Sequence, residues 1–234
     1  MNRNHRKSRN LLAAGLAALL VALALVAEGA PKDSFPQVKV PPVDDANRRP
    51  DFKAFRDQFL EAIHNHDLKF LLEHIDPAIS YSFGEEFGLP GFIAHWKLKD
   101  NPEKSALWDE LDRLLRLGGV FTDQEQSFFI APYSFINFPS FIDASNFAVV
   151  LEEKAPVYSL PDLASPVAAT VSHEVVKWKY RPGPADPESF EEVTIHTGGH
   201  GYLQRKFIRS PIDFRAGFQD QNGTWKMMFM VSGD

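Results

Sequence analysis

The sequence predicts an α+β protein, in which a helix-rich N-terminal domain is followed by a small β-barrel with a C-terminal β-hairpin extension. Three observations lead to this prediction. Apolar residues recur at helical spacing from residue 51 onward, short apolar runs separated by turn residues fill the chain after residue 145, and Asn222-Gly223 stands between the last two runs. The chain has 234 residues, of which 44% are hydrophobic and 20 are phenylalanine, so it has ample material for a core.

The first 29 residues have the pattern of an export signal. Cationic side chains precede an unbroken apolar run over residues 11–27, and small residues at Ala27 and Gly29 offer a cleavage site after either one. The run lies at the short end of what crosses a bilayer, so an uncleaved anchor is the alternative and would be the protein's membrane contact. The positive charge before the run keeps the N-terminus cytoplasmic in both cases, which predicts a periplasmic or secreted protein.

Composition excludes several classes of protein. The chain contains no cysteine, so it is not a lipid-modified lipoprotein and its exported fold has no disulfide. A net charge of −6 supplies no basic field for nucleic acid, which we do not expect as a partner.

Residues 30–50 are rich in proline and predict an extended tether before a helix-rich domain over residues 51–140. Phe52, Phe55, Phe59 and Ile63 form one apolar stripe of a first helix. Asp67 is suited to cap a second, short helix that Pro77 ends, and a short strand is predicted over residues 78–83.

A third helix is predicted to begin with Asn101 as its N-cap and Pro102 at its first position. Trp108, Leu111, Leu114 and Leu115 then share one face, and Gly118-Gly119 ends the helix.

Residues 145–234 are predicted to form the β domain. The stretch "TGGHGYLQRK", residues 197–206, invites comparison with a phosphate-binding loop, but it lacks the required lysine and hydroxyl spacing. Its glycines instead predict a hairpin turn before a strand that carries Arg205 and Lys206 on opposite faces.

No catalytic set, metal site or cofactor site is predicted. His64 and His66 are too close in sequence to chelate one ion from a helix, and a glycine-rich turn separates His196 from His200. The glutamate pair at 191–192 falls in a strand, where neighbours face opposite sides and cannot work as an acid/base couple. Recognised nucleophile motifs are also missing from the sequence.

Aromatic side chains of the β region are the predicted binding residues. Tyr158, Trp178 and Tyr202 are the candidates, with His200 at the edge of the same groove. Core packing is the competing interpretation for each of them.

The β region resembles the bacterial SH3-like domain. The segment "APVYSLPDLASPVAATV" matches the start of that family's pattern, and "FEEVTIHTGGHGYL" matches its strand and its glycine turn before a Gly-aromatic pair. Tyr158 stands where the family usually has arginine and Phe190 where it has tryptophan, so the family's ligand contacts do not carry over at these two positions. The whole chain resembles exported bacterial proteins with such a domain, a likeness that implies architecture and no catalytic residues.

These observations favour an exported binding or adaptor protein whose SH3-like domain recognises cell-wall peptide or an envelope protein. The alternative is a peptidoglycan hydrolase with a site in the N-terminal loops, built from His95, Glu85 or Glu86. A third hypothesis is a purely structural role, such as that of an inhibitor or assembly factor.

Overall fold

The computed structural model describes residues 33–84, 86–179 and 186–233. The predicted signal segment, residues 1–29, lies outside the described residues, as does Glu85. Within them the protein contains both helices and two β-sheets, which confirms the α+β class.

Five α-helices lie in the first part of the described chain: α1 Pro50–His64, α2 Leu68–Glu73, α3 Leu89–His95, α4 Leu107–Arg116 and α5 Tyr133–Ile136. Strands in the same part are β1 Ile75–Ser80, β2 Val120–Phe121 and β3 Phe128–Ala131. The later strands are β4 Phe147–Val150, β5 Ala155–Tyr158, β6 Val167–Val171, β7 Val175–Trp178, β8 Phe190–Thr194, β9 His200–Gln204, β10 Ile208–Arg209, β11 Arg215–Gln221 and β12 Thr224–Val231.

The first sheet has five strands in the order β1-β12-β11-β3-β2. Its centre is the C-terminal hairpin β11–β12, whose turn is formed by Asn222 and Gly223, both with positive φ, as the sequence predicts. β12 pairs in parallel with β1, and β11 pairs antiparallel with β3. The end of the chain therefore completes the sheet of the helical region, across the boundary near residue 145 that the sequence suggests.

The phenylalanine stripe of α1 packs onto this first sheet. Phe52 is fully buried, and its ring centroid lies 4.3 Å from that of Phe129 and 4.6 Å from that of Trp225. Aromatic rings thus form the contact between the first helix and the strands of the sheet.

The second sheet has seven strands in the order β10-β4-β7-β8-β9-β5-β6. Its inward side chains form a separate core that consists mostly of aliphatic residues, including Val157, Val193 and Leu203. Within the described residues, β6 and β10 are the two ends of this order.

The proline-rich segment before α1 runs along the second sheet. The Phe35 amide donates to the His196 carbonyl at 3.0 Å, and the Val40 amide donates to the His173 carbonyl at 2.6 Å. Val40 is 1% exposed, so the segment predicted as a tether contributes to the core at this point.

Three local predictions need correction. Asn101 and Pro102 open a 3₁₀ turn, and α4 begins only at Leu107, whose amide donates to the Ser105 hydroxyl. Pro77 lies within β1, a strand that begins earlier than predicted. Arg205 and Lys206 belong to a 3₁₀ turn because the chain leaves β9 at Gln204.

Asp67, by contrast, caps α2 as predicted. Its carboxylate accepts from the Phe70 amide at 3.0 Å.

Candidate functional site

The strand β9 presents alternate side chains to the two faces of the second sheet. Gly201 and Leu203 face the core, whereas His200 is exposed and Tyr202 is partly exposed on the outer face. The "TGGHG" stretch forms the β8–β9 turn, in which the Ile195 amide donates to the Gly199 carbonyl at 2.9 Å and Gly198 has a φ of 86°. The predicted hairpin is confirmed.

Tyr158 of β5 and Tyr202 of β9 are direct cross-strand partners. Gly201 makes this pairing sterically feasible, because a Cβ at that position would lie 2.7 Å from the Tyr158 carbonyl oxygen and 2.5 Å from a Val157 methyl group. Both tyrosines are partly exposed, and directly opposed residues place their Cβ atoms roughly 5 Å apart.

Two residues of β8 extend this pair. The Phe190 ring lies edge-on to the Tyr158 ring, with centroids 5.7 Å apart and an interplanar angle of 88°. Glu192 is the register partner of Tyr202 and is exposed. We call Tyr158, Phe190, Glu192 and Tyr202 together the tyrosine face.

The chain after Tyr158 continues the apolar surface. Leu160 and Leu163 in the β5–β6 connection are 61% and 59% exposed, and Val167 at the start of β6 is 53% exposed. Large apolar side chains with this exposure, grouped in one hairpin, are typical of an interaction surface.

Trp178 does not lie on the tyrosine face. It is 4% exposed and packs in the core of the second sheet, with the Arg205 guanidinium 4.9 Å from its ring centroid. Of the four predicted binding residues, the structure therefore brings Tyr158 and Tyr202 together and places His200 next to them along β9.

His196 and His200 contact different carboxylates. His196 Nδ1 lies 3.4 Å from a Glu174 carboxylate oxygen, and His200 Nε2 lies 3.8 Å from an Asp33 oxygen. His200 Nδ1 is also 3.1 Å from the Thr194 hydroxyl. The described part of the chain holds no group of three or more histidine and acidic side chains that could bind a metal ion.

His64 and His66, near the end of α1, line the same cavity of about 170 Å³ with Trp108 and two aspartates of α4. His66 adopts a positive φ of 51° and stacks on Trp108, with ring centroids 5.0 Å apart. Its Nδ1 lies 3.3 Å from a Glu103 oxygen, so its nearest acid is a surface residue of the turn before α4.

The residues of the hydrolase hypothesis lie around α3. His95 is exposed at the last position of that helix, where its ring contacts those of Tyr81 and Trp96. Glu86 is exposed, and its backbone carbonyl accepts from the Ser82 hydroxyl. Glu85, the third residue of that hypothesis, is outside the described residues.

A cavity lies between the segment that follows β3 and the segment that follows β10. Its volume is about 380 Å³, and it is lined by seven residues between Phe135 and Ala144 and by Pro211, Ile212 and Arg215. The Arg215 guanidinium packs 4.6 Å from the Phe135 ring centroid and 4.9 Å from that of Phe83. None of the residues that line this cavity belongs to the tyrosine face.

Sequence reasoning missed Phe190 and Glu192 as site residues. The available signal was the β8–β9 hairpin itself, because pairing across a turn over residues 195–199 places Glu192 opposite Tyr202. The same alternation that rules out Glu191 and Glu192 as an acid/base couple puts Glu192 on the outer face.

Comparison of this chain with protein-family models, with curated proteins and with solved structures finds no match. In the described part of the chain, no α-helix combines the length and apolar character needed to cross a membrane. We therefore infer the function of the chain from its sequence and from the geometry of its described residues.

Proposed function

We propose that the chain is an exported binding or adaptor protein of the bacterial cell envelope. In this proposal the second sheet is an SH3-like barrel domain that recognises cell-wall peptide or a protein partner through the tyrosine face. The observation that carries it is the pairing of Tyr158 with Tyr202 on the outer face, where the Phe190 ring joins them.

Tyrosine is well suited to such a surface. It offers a large apolar ring with a polar tip and few rotatable bonds, so it binds with little loss of side-chain entropy. Here both tyrosines are carried by strands rather than loops, which fixes their spacing before a ligand arrives. The exposed leucines of the β5–β6 connection extend the apolar area available to a bound chain.

The N-terminal sequence supports the location. A basic start, an apolar run and small residues precede the described chain, and cysteine is missing. We therefore propose that the mature protein is located in the periplasm or the external medium. Cleavage after Gly29 would leave residues 30–234 as the mature form.

Co-sedimentation of residues 30–234 with purified cell-wall sacculi tests the proposal. We expect the protein to pellet with sacculi, or to capture one envelope protein, and the Tyr158→Ala/Tyr202→Ala double variant to lose binding by about tenfold or more. Phe141→Ala is the matched control, since it removes a ring that is 77% exposed outside the second sheet. Equal binding by the wild type and the double variant, or no binding to either kind of target, overturns the proposal.

The peptidoglycan hydrolase remains the alternative proposal, based on the glycine-punctuated segment before α3. Its test is release of soluble muropeptides, compared with a His95→Ala/Glu86→Ala variant. Equal release by both proteins, or none by either, removes it.

A further inference from the structure

We infer that the tyrosine face binds an ammonium group carried by a short, extended peptide, with Glu192 as its counter-ion. This inference rests on the proposed function, because it names the ligand chemistry of the same surface. It is carried by the row that Glu192, Tyr202 and Tyr158 form across β8, β9 and β5.

The register defines the geometry of this row. Glu192 is opposite Tyr202, and Tyr202 is opposite Tyr158, so one carboxylate and two phenol rings stand side by side on one face. Neighbours in such a row have Cβ atoms roughly 5 Å apart, which is within reach of a single bound cation. The Phe190 ring packs edge-on against the Tyr158 ring and is the third aromatic ring of this face.

Glu192 differs from two other glutamates around the second sheet, Glu174 and Glu188. Glu188 has the Lys206 ammonium 2.8 Å away, and Glu174 has Lys39 at 3.7 Å. Among the described residues, no cationic side chain lies within 4 Å of the Glu192 carboxylate. The β7–β8 register sets Lys179 beside Glu192 but not within 4 Å of its carboxylate, so this carboxylate is open to the cation of a ligand.

The aromatic rings, like the Glu192 carboxylate, favour a positively charged ligand. Their faces carry partial negative charge, and a cation within about 6 Å of a ring centroid gains roughly 0.5–2 kcal/mol. An anion would meet repulsion from both the carboxylate and the ring faces. A neutral apolar ligand would leave the Glu192 charge without a partner and close to its own apolar surface.

Two cationic residues border the row on the β7 side. Lys177 is exposed and pairs in register with Thr194, and Lys179 follows the end of β7 and is also exposed. His200, the partner of Thr194 on the other side, belongs to the neighbouring row. We therefore expect the ligand to enter from the β5 side, where Tyr158 and the β5–β6 connection bound the face.

A peptide is the kind of molecule that can bring an ammonium group to the tyrosine face from the β5 side. The β5–β6 connection presents Leu160 and Leu163 directly after Tyr158, so a ligand whose ammonium lies over the tyrosines can lay apolar groups beside these leucines. A free amino group on a short, extended chain with small side chains combines both features. Residues 30–234 lack the four cations and the one acid of the first 29 residues and carry a net charge of −9, which adds a general attraction for such a cation.

The test compares two probes that differ in one charge. The first is the peptide Ala-Ala-Lys-Ala with blocked ends, and the second is the same peptide with its lysine side chain acetylated. Dissociation constants are measured by calorimetry or by NMR titration of residues 30–234. We expect acetylation to raise the dissociation constant by about fivefold or more, because it removes the positive charge that contacts the aromatic rings and the carboxylate.

Glu192→Gln separates the charge from the shape of the face. We expect it to raise the dissociation constant of the lysine peptide by about threefold or more and to leave that of the acetylated peptide unchanged. Glu191→Gln is the matched control, because Glu191 is the adjacent residue of β8 and faces the other way. Unchanged circular dichroism spectra and thermal midpoints establish that both variants fold like the wild type.

The outcomes distinguish this inference from the proposed function. Equal binding of the two probes, no binding of either, or an equal effect of Glu191→Gln and Glu192→Gln overturns the ammonium inference. If sacculi or an envelope protein still bind and the double tyrosine variant abolishes that binding, the proposed function stands without it. If the double tyrosine variant has no effect on those targets, the proposed function fails as well.

Discussion

The Glu174 carboxylate and the His196 imidazole lie 3.4 Å apart beneath the N-terminal segment, at ion-pair distance but without hydrogen-bond geometry. Glu174 is 3% exposed, and its oxygens also accept from Gln37 Nε2 at 2.6 Å and from the Ser172 amide at 3.3 Å. One buried carboxylate thus links the segment before α1 to the second sheet.

Replacement of Glu174 should loosen this segment. We expect Glu174→Ala to lower the free energy of unfolding by about 1–2 kcal/mol, because the Gln37 side chain and the Ser172 amide lose the charged acceptor that they share. Urea titration measures the change, and faster tryptic cleavage after Lys39 reports release of the segment. Glu153→Ala, at an exposed position, should change stability by less than about 0.5 kcal/mol. Equal effects of the two substitutions would contradict the role of Glu174.

Phe52 anchors the first core. Its ring is fully buried and contacts five other aromatic rings, namely those of Phe55, Phe121, Phe129, Phe218 and Trp225. We expect Phe52→Ala to cost about 3–5 kcal/mol of unfolding free energy, since the cavity cannot close among rigid rings. Chemical denaturation measures it, with Phe141→Ala as the exposed control at less than about 0.5 kcal/mol. A cost below about 1 kcal/mol for Phe52→Ala would disprove the anchoring role.

The helical part of the fold is predictable because its signals are local. The phenylalanine spacing of α1 and the carboxylate cap of α2 each act within one or two helical turns, and both are found in the structure. The start of α4 differs from the prediction because Pro102 opens a 3₁₀ turn and the Ser105 hydroxyl takes over the role of first acceptor. The N-cap position of α4 is Ala106, which has no capping side chain, so the N-cap rule does not locate the start of this helix.

Long-range pairing is not predictable in the same way. Alternation shows that β12 has an apolar face, but it does not show that β12 pairs in parallel with β1, where Ile75 is opposite Met227. In the candidate site, too, the local signals are predictable from the sequence and the strand pairing is not. The aromatic character of Tyr158 and Tyr202 is visible in the sequence, whereas their adjacency depends on the β5–β9 register, and Trp178 has the same chemistry but faces the core.

Gly201 sets the distance between β5 and β9. A Cβ there would meet the Val157 side chain at 2.5 Å and the Tyr158 carbonyl at 2.7 Å, and the carbonyl cannot move without breaking the strand pairing. We therefore expect Gly201→Ala to lower the unfolding free energy by about 1–3 kcal/mol and to weaken ligand binding at the tyrosine face.

Thermal or urea denaturation checks this expectation, with Gly84→Ala as the control. A Cβ at Gly84 would lie 3.6 Å from the nearest atom, the Ser82 hydroxyl oxygen, which is ordinary van der Waals contact. If Gly201→Ala is as stable as Gly84→Ala, the two strands are not held at the distance that the structure gives.

The ionisation of Tyr133 makes the stability of the protein depend on pH in the alkaline range. Its side chain is 1% exposed, and its hydroxyl has no hydrogen-bond partner among the described residues. Burial, assisted by the negative charge of Glu152, raises the pKa of Tyr133 from 10.0 to about 12. Both effects disfavour the phenolate in the folded protein.

The sign of the resulting pH dependence is set by proton binding. Below pH 10 the phenol is protonated in the folded and unfolded chains, so Tyr133 adds no pH dependence there. Between pH 10 and about 12 the unfolded chain releases this proton while the folded chain retains it, so the free energy of unfolding falls as pH rises, by about 2–3 kcal/mol in total. We expect Tyr133→Phe to remove this part of the alkaline loss and to be no less stable than the wild type at pH 7, since it deletes a buried hydroxyl without a partner. Urea titrations of both proteins at about pH 7, 9, 10, 11 and 11.5 measure the difference, and parallel stability curves above pH 10 would show that Tyr133 ionises equally in both states.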